Sequence, residues 1–473
     1  MYDTKSLDAN EFIDDAEVLA SIEAAKDLVK DGAEIDRILA KARAYKGLTH
    51  REAAVLLEID DDATLEKMYA IAREVKEQIY GKRIVLFAPL YLSNYCVNNC
   101  KYCGYKCSNQ IKRRQLTQEE LRQEVRALEA MGHKRLLLEA GEDDENCPIE
   151  YILDCIQTIY NEKFENGSIR RVNVDIAATT TENYRKLKDA AIGTYILFQE
   201  TYHKPTYLAT HSGPKRNYEW HTEAMDRAMQ GGIDDVGIGP LYGLYDYHYE
   251  TVALLMHAEH LEAAHGVGPH TISFPRLLPA EGVDYNDFPY LVNDRDFKKL
   301  VAIIRLAVPY TGMILSTRES VEFRKELLAI GISQMSAGSC VGVGGYAVQP
   351  PVKDDIEEKP QFYLADHRKP IDVIKGLVRD GYLPSYCTAC YREGRTGDRF
   401  MPLAKSGQIG KVCLPNALLT FEEYLTDYAD DELRAMGQKM IDEEIQTVPD
   451  EKRRAKALDY LGRVRNGERD LRF

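Results

Sequence analysis

Three cysteines, Cys96, Cys100 and Cys103, lie within eight residues in a C-x3-C-x2-C pattern. Thiolates at this spacing can converge on one soft metal centre, such as an iron–sulfur cluster. Three ligands leave one iron of a four-iron cluster without a protein ligand, and this open position allows chemistry that a closed structural site would not. The alternative is three buried core thiols, which is disfavoured because free cysteines rarely cluster so tightly without a metal or redox task.

A second cysteine group stands near the end of the chain. Cys387, Cys390 and Cys413 form a C-x2-C-x22-C pattern, and no cysteine or histidine follows Cys413. A tetrahedral zinc site would lack its fourth ligand, so the pattern favours a second three-cysteine iron–sulfur cluster with an open iron. Half a zinc site or a redox dithiol are the alternatives for the C-x2-C pair.

The elements that position the first triplet alternate between strand and helix. Apolar strands are predicted at residues 83–92, 135–139, 172–176, 195–199, 235–239, 271–274, 313–316 and 332–336, and helical sequence fills most gaps between them. Eight continuously apolar strands of this kind indicate an α/β fold, a (βα)8 TIM barrel. The active site is then expected at the carboxyl ends of the strands, where the first triplet follows strand one.

The chain divides into three predicted segments. The first segment, residues 1–80, is predicted to form a helical cover, with a partner-binding module as the alternative. The second, residues 81–347, is predicted to form the barrel. The third, residues 348–473, is predicted to form a mostly helical domain for an auxiliary cluster. The boundary is a polar, proline-bearing stretch around residues 349–355. Thr49 with Glu52, and Thr117 with Glu120, have the spacing of capping boxes at helix starts.

Composition narrows the function classes. The chain has 473 residues, 44% of them apolar, and a net charge of −15, which argues against binding to nucleic acid or to an anionic membrane surface. We find no signal peptide and no apolar run long enough for a membrane span. The cysteines fall in clusters typical of metal binding, so we expect a protein of the reducing cytoplasm.

The first cysteine pattern, on the first strand of a βα repeat, resembles that of the radical S-adenosylmethionine (SAM) enzymes. The resemblance implies that the three cysteines hold a 4Fe–4S cluster whose fourth iron is chelated by the amino and carboxylate groups of SAM. An electron from the cluster then breaks SAM into methionine and a 5′-deoxyadenosyl radical.

Residues just after the strands supply further candidates for SAM binding. Ala140, Gly141 and Glu142 follow strand two and resemble the family's Gly-Gly-Glu-like turn, with alanine in place of the first glycine; a surface turn is the alternative. Glu200 and Tyr202 follow strand four, where a carboxylate can bind a ribose or an ammonium group, or form a structural salt bridge.

The other strand ends complete the predicted ring. Gly237 and Gly239 after strand five would let an adenine approach the backbone closely. Arg276 and Arg318 follow strands six and seven, and a guanidinium binds a carboxylate through two parallel bonds, so the substrate is predicted to be an amino acid. Either arginine could instead pair with a barrel carboxylate. Ser336 after strand eight is a further candidate.

The barrel, residues 385–392 and the distant Cys413 together resemble the tyrosine-cleaving maturases of FeFe-hydrogenase over nearly the whole chain. Residues 199–202 and 274–276 are also shared with the thiamine-pathway tyrosine lyase, which lacks the C-terminal extension. The resemblance implies cleavage of L-tyrosine to p-cresol and dehydroglycine. Dehydroglycine then becomes carbon monoxide and cyanide at the second cluster, which build an iron–carbonyl–cyanide synthon.

The same resemblance implies an extra iron beside the second cluster, held through a free L-cysteine molecule and by His265. From the residues alone, His265 and His270 are equally plausible, and a structural histidine is the default for either. A flavodoxin or ferredoxin as electron donor and other hydrogenase maturases are the implied partners. Cys107, Cys147, Cys155 and Cys340 are predicted not to be ligands. The rival functions are a lyase that stops at dehydroglycine and a non-catalytic iron–sulfur carrier.

Overall fold

The computed structural model describes residues 1–347 and 359–473. The predicted boundary around residues 349–355 lies outside the described residues. The strands are β1 (Arg83–Ser93), β2 (Arg135–Ala140), β3 (Arg171–Asp175), β4 (Tyr195–Ile196), β5 (Val236–Ile238), β6 (Thr271–Ser273), β7 (Gly312–Leu315), β8 (Gln334–Ser336) and β9 (Leu383–Ser385). Each of the eight predicted strands overlaps one of the first eight observed strands.

Strands β1 to β8 close into a parallel barrel. Each strand pairs with the next along the chain, and β8 pairs with β1. All eleven residues of β1 are buried, because helices cover the outside of the barrel and side chains fill its interior. The predicted (βα)8 fold is therefore confirmed.

Helices surround the barrel and extend it at both ends of the chain. Before β1 lie α1 (Ala9–Phe12), α2 (Asp15–Leu28), α3 (Gly32–Arg43), α4 (His50–Leu57) and α5 (Asp62–Tyr80). Between the barrel strands lie α6 (Gln118–Ala130), α7 (Ile149–Asn161), α8 (Thr181–Asp189), α9 (Lys204–Thr210), α10 (Tyr218–Thr222), α11 (Ala224–Gln230), α12 (Tyr247–His265), α13 (Asp294–Ala307) and α14 (Val321–Ile330). After them come α15 (Pro370–Arg379), α16 (Ala389–Arg392), α17 (Gly397–Lys405), α18 (Gly410–Asp427), α19 (Asp431–Glu444) and α20 (Glu451–Arg465).

The N-terminal helices pack on the outer layer of the barrel, α4 against α12 and α5 against α13. Both predicted capping boxes are confirmed: the Thr49 side chain caps α4 with Glu52, and the Thr117 side chain caps α6 with Glu120. No helix among the described residues is long and apolar enough to cross a membrane.

The C-terminal segment joins the barrel at the end opposite the first cysteine triplet. β9 runs parallel to the start of β1, with Leu383 opposite Arg83 and Ser385 opposite Val85. The first triplet instead follows the last residue of β1, and a strand of this length spans roughly 30 Å at about 3.3 Å per residue. The two cysteine groups are therefore held at opposite ends of one barrel.

Candidate active site and metal centres

The carboxyl ends of the barrel strands surround a cavity. Nine of the predicted site residues line it: Cys96, Cys100, Cys103, Ala140, Gly141, Glu142, Glu200, Arg318 and Ser336. These residues follow several different strands, as is usual for the active-site residues at the carboxyl face of a TIM barrel.

The turn after β2 packs directly on the first cysteine loop. The backbone N–H of Val97 donates to the Glu142 carbonyl at 2.8 Å, and the Asn98 amide donates to the Glu142 carboxylate at 2.6 Å. A Cβ at Gly141 would overlap the Tyr95 carbonyl and lie 3.0 Å from the Cys96 Cβ. Glycine is thus required at position 141 for the turn to reach the loop.

Two thiols of the first triplet, Cys100 and Cys103, differ from reactive free cysteines in their pKa. Burial raises the pKa of Cys103 to about 11, and burial also raises the pKa of Cys100. A reactive free cysteine needs a lowered pKa, whereas a bound metal itself supplies the charge that keeps a thiolate deprotonated. The donor set therefore fits the cluster that this cysteine pattern implies.

Glu200 lines the cavity in a constrained backbone conformation. Its φ of 67° is in the left-handed region, which non-glycine residues seldom occupy. The backbone N–H of Leu241 donates to the Glu200 carbonyl at 2.8 Å. The Glu200 carboxylate lies 2.8 Å from the Lys215 ammonium. Although burial opposes the charge, Glu200 and the Cys100 thiol hold the pKa of Lys215 well above its usual value. The predicted ribose- or ammonium-binding carboxylate is thus one half of a buried ion pair.

The two predicted carboxylate-binding arginines differ sharply. Arg276 gives two hydrogen bonds to Glu319, at 2.9 and 2.6 Å, and lies 2.7 Å from Asp294. Arg318 lines the cavity with its guanidinium 3.5 Å from the centre of the Phe362 ring; Glu200 and Glu139 interact with it electrostatically, but it forms no salt bridge within 4.0 Å among the described residues. Arg318 is therefore free to bind a substrate carboxylate, whereas the guanidinium of Arg276 is already occupied.

Tyr202, Gly237 and Gly239 do not line this cavity. The Tyr202 hydroxyl lies 3.0 Å from His257 Nδ1 in the core. A Cβ at Gly237 would lie 2.5 Å from the Thr271 hydroxyl, and one at Gly239 would overlap the Ser273 carbonyl. The two glycines thus allow close pairing of β5 with β6, and the structure assigns them no contact with the cavity.

Sequence analysis missed four charged residues of the cavity wall: Glu139, Asp175, Lys215 and Glu319. Burial raises the pKa of Glu139 to about 7, and burial and the neighbouring Glu139 raise the pKa of Asp175 well above its usual value. Glu139 ends the second predicted strand, and Asp175 is the last residue but one of the third, so a charged residue near a strand's carboxyl end was a usable signal. Lys215 lies in a loop after α9 and gave no such signal.

The second cysteine triplet gathers at the amino end of the barrel. Arg171, the first residue of β3, donates to the Cys387 carbonyl at 3.2 Å and lies 3.9 Å from its sulfur. Cys387 itself has a φ of 47°, a left-handed conformation two residues after β9. Irregular backbone of this kind at a candidate ligand is consistent with a functional site.

Cys390 and Cys413 form a coupled pair within this triplet. A hydrogen bond from Cys390 lowers the pKa of Cys413 to about 6; burial opposes this shift, and Arg83 and Arg395 reinforce it. The same bond raises the pKa of Cys390, so Cys390 is the donor. The hydrogen bond from Cys390, assisted by Arg83 and Arg395, therefore favours the thiolate at Cys413.

The two candidate histidines occupy different surroundings near this end. His265 ends α12, and its Nε2 lies 2.6 Å from Asp226 Oδ1. His270 precedes β6, with its ring 4.7 Å from that of Phe400 and its Nδ1 3.4 Å from Asp235. A second cavity of about 490 Å³ lies at this end and is lined in part by Arg171, Asp235 and Tyr391.

Comparison with known proteins agrees with this arrangement. Residues 90–257 match the Radical SAM superfamily, and residues 273–383 match the Biotin and Thiamin Synthesis associated domain. The 2-iminoacetate synthase of Escherichia coli K12 is 30% identical over 357 residues, which are 75% of this chain and 90% of that protein.

Two solved structures cover the C-terminal segment as well. HydG, a maturase of the [FeFe]-hydrogenase, is 59% identical, with a TM-score of 0.94, over 98% of this chain and 100% of that one. HydG from Carboxydothermus hydrogenoformans is 40% identical, with a TM-score of 0.83, over 96% and 99% of the two chains. The matches imply a 4Fe–4S cluster, SAM and a reductant. The chain therefore belongs to the family of radical SAM enzymes that includes HydG and 2-iminoacetate synthase.

Proposed function

We propose that this enzyme is a tyrosine lyase of FeFe-hydrogenase maturation. It cleaves L-tyrosine to p-cresol and dehydroglycine, and converts dehydroglycine to carbon monoxide and cyanide for an iron–carbonyl–cyanide synthon. The observation that carries the proposal is the pair of separate three-cysteine groups at opposite ends of one closed barrel. Similarity to HydG over nearly the whole chain, including the C-terminal segment, supports it.

The first step belongs to the cavity at the carboxyl ends of the strands. Cys96, Cys100 and Cys103 would hold the cluster, and the turn at Gly141 and Glu142 would meet SAM beside it. When bound, the cluster and SAM supply a 5′-deoxyadenosyl radical that takes a hydrogen atom from the tyrosine amino group. The Cα–Cβ bond of tyrosine would then break to give dehydroglycine and a 4-hydroxybenzyl radical, which takes one electron from the reductant and one proton to become p-cresol.

The chain's own residues position the amino acid for this step. Arg318 binds the tyrosine carboxylate through its guanidinium, which Phe362 holds flat by stacking at 3.5 Å. Burial of the site excludes water and strengthens that ion pair. Glu139 and Asp175, whose raised pKa values favour the neutral acids, line the same wall and add hydrogen-bond donors without a full negative charge.

The second step, conversion of dehydroglycine to carbon monoxide and cyanide, takes place at the cluster that Cys387, Cys390 and Cys413 would hold. No cysteine or histidine follows Cys413 to complete a zinc tetrahedron, which favours an iron–sulfur cluster with an open iron over zinc. His265 and a free L-cysteine molecule would hold the extra iron, which leaves the enzyme as part of the synthon.

The remaining expectations from the sequence extend the proposal. Residues 1–80 cover the barrel of residues 81–347, and residues 348–473 form the auxiliary-cluster domain. A flavodoxin or ferredoxin delivers the electron in the cytoplasm, and other hydrogenase maturases receive the product. The net charge of −15 is unfavourable for nucleic-acid or membrane partners.

A lyase that stops at dehydroglycine for thiazole synthesis is the second candidate. Identity of 30% with the 2-iminoacetate synthase of E. coli favours it, but that similarity covers 75% of this chain, against 98% for HydG. The extra segment, with its three gathered cysteines, has no role in that alternative.

One experiment separates these functions. The full chain is reconstituted anaerobically with iron and sulfide and supplied with SAM, tyrosine and a reductant. We expect p-cresol, 5′-deoxyadenosine, carbon monoxide and cyanide. A thiazole-type lyase gives p-cresol without carbon monoxide, and an iron–sulfur carrier cleaves no SAM.

A further inference from the structure

Two acidic side chains lie next to each other on the wall of the cavity at the carboxyl ends of the strands. Glu139 on β2 and Asp175 on β3 are opposite each other in the parallel register of these strands. Both residues line the cavity, so their side chains point to the same side of the sheet. Neighbouring strands lie about 4.8 Å apart, which brings the two carboxyls close together. Glu139 and Asp175 are here called the acidic pair.

The acidic pair has no cation of its own. Neither carboxyl forms a salt bridge within 4.0 Å among the described residues, and the nearby Lys215 ammonium is paired with Glu200 at 2.8 Å. Because burial raises the pKa of the surrounding tyrosines, only Glu200, Lys215 and Arg318 are charged near neutral pH among the side chains that act electrostatically on the pair. These side chains are Tyr91, Tyr105, Tyr195, Glu200, Lys215, Arg318 and Tyr346.

The acidic pair holds one proton and one negative charge once its first proton has left. Burial raises the pKa of Glu139 to about 7, and burial and the neighbouring Glu139 raise the pKa of Asp175 well above its usual value. Two carboxyls this close oppose each other's ionisation, so the pair titrates as a unit. A group that titrates near the working pH is suited to accept a proton from a substrate.

The cleavage of tyrosine requires a base at this part of the cavity. The hydrogen atom leaves the tyrosine amino group, which near neutral pH is an ammonium and must first become the neutral amine. The ammonium and the carboxylate are bonded to the same carbon, so the base must lie close to the guanidinium that binds the carboxylate. Arg318 is that guanidinium, and Glu139 is one of the groups that interact with it electrostatically.

We propose that the acidic pair is the base that takes a proton from the ammonium group of the tyrosine substrate. The inference rests on the tyrosine-cleaving step of the proposed function and not on the later formation of carbon monoxide. One N–H bond of the ammonium breaks, its electron pair stays on nitrogen, and the proton joins the ionised carboxyl of the pair. The neutral amine keeps two N–H bonds, one of which supplies the hydrogen atom that ends in 5′-deoxyadenosine.

The test measures p-cresol formation by the reconstituted full chain from about pH 6 to about pH 9 at saturating tyrosine. In the double variant Glu139→Gln with Asp175→Asn, both carboxyls become neutral amides of nearly the same size. We expect its rate at pH 7 to be about 100-fold lower or less, which is the usual contribution of a general base. The parent rate should fall below about pH 7 and level off above it. The variant rate should instead rise about tenfold per pH unit, because only substrate bound as the neutral amine can react.

Glu145→Gln is the matched control, because it removes a carboxylate from the exposed loop that also follows β2. It should keep the rate and the pH profile of the parent. Equilibrium dialysis with 3-(4-hydroxyphenyl)lactate, which carries a hydroxyl in place of the ammonium, measures the cavity separately from the proton transfer. The double variant should bind this compound as tightly as the control does.

Three results would overturn the proposal. The first is a double variant less than about tenfold slower than the control at pH 7. The second is a slower double variant that keeps the pH profile of the parent, since that loss would be structural. The third needs no variant and is a parent rate that does not fall below about pH 7. Failure of the later step would instead appear as p-cresol without carbon monoxide from the parent, which leaves these comparisons unchanged.

Discussion

The two cysteine triplets occupy opposite ends of one barrel and differ in almost everything except ligand number. The first lies in a single eight-residue loop and shares its cavity with Glu139, Asp175 and Arg318. The second joins a C-x2-C turn to a cysteine on α18, and the barrel supplies Arg83 and Arg171 around it. The first opens onto the cavity at the carboxyl ends of the strands, whereas the second has arginine side chains beside it and a separate cavity at its end of the barrel.

The electrostatic contrast follows from these surroundings. Burial dominates at the first triplet and raises the pKa of Cys103 to about 11. At the second triplet a thiol hydrogen bond, assisted by Arg83 and Arg395, lowers the pKa of Cys413 to about 6 in spite of burial. The same ligand type is therefore placed in a cavity for radical chemistry at one end and in a cationic environment, suited to anionic products such as cyanide, at the other.

The largest expected effect comes from removing the first triplet. Cys96→Ala should abolish 5′-deoxyadenosine, p-cresol and carbon monoxide together, because every later step needs the radical made there. Product analysis by mass spectrometry checks this. Cys107→Ala, four residues beyond Cys103, is the matched control and should retain all products. Persistent SAM cleavage by Cys96→Ala would remove this site assignment.

Removing cysteines of the second triplet should stop the second reaction step and leave the first step intact. Cys387→Ala combined with Cys390→Ala should leave p-cresol formation within about twofold of the parent enzyme and stop carbon monoxide release. The reason is that the first cavity shares no lining residue with this turn. Carbon monoxide capture by haemoglobin, run beside p-cresol quantification, measures both. Equal loss of both products would indicate that these cysteines are structural.

The contrast between the two arginines gives a smaller effect. Arg318→Gln should raise the KM for tyrosine by roughly 10- to 100-fold, the value of a charge-assisted hydrogen bond of about 1.5–3 kcal/mol. Arg276→Gln should instead lower the free energy of unfolding, because it leaves Glu319 buried without its partner. Steady-state kinetics and denaturant unfolding under anaerobic conditions distinguish them. If Arg276→Gln shows the larger KM effect, the carboxylate site is wrongly assigned.

The smallest effect concerns pH. Burial raises the pKa of Glu139 from its usual 4.5 to about 7, so its contribution to stability is fully present below pH 4.5 and is lost as the pH rises through 7. Thermal stability should therefore fall between about pH 4.5 and pH 7 and level off above that range, and Glu139→Gln should flatten that dependence. Differential scanning calorimetry of both proteins across this range provides the measurement. An unchanged slope in the variant would show that Glu139 is ionised in the folded protein.

Much of the fold was predictable because its signals are local. All eight barrel strands and both capping boxes were recognised from apolar runs and from hydroxyl–carboxylate spacing. The ninth strand was missed, because three residues including Pro384 carry no strand pattern, and β9 exists only through pairing with β1. Tyr202 was assigned to the cavity by its closeness to Glu200 in sequence, but its side chain points into the core.

The sequence by itself determined the two cysteine triplets, the βα order and the placement of candidate residues after strand ends. Ligand spacing within a loop and apolar periodicity are properties of neighbouring residues, so they need no knowledge of the fold. Only the tertiary structure decided that Arg318 is free while Arg276 is paired, and that Glu139 and Asp175 lie side by side on one cavity wall. Which charges neutralise each other depends on side chains brought together from distant parts of the chain, and these contacts arise only when the barrel closes.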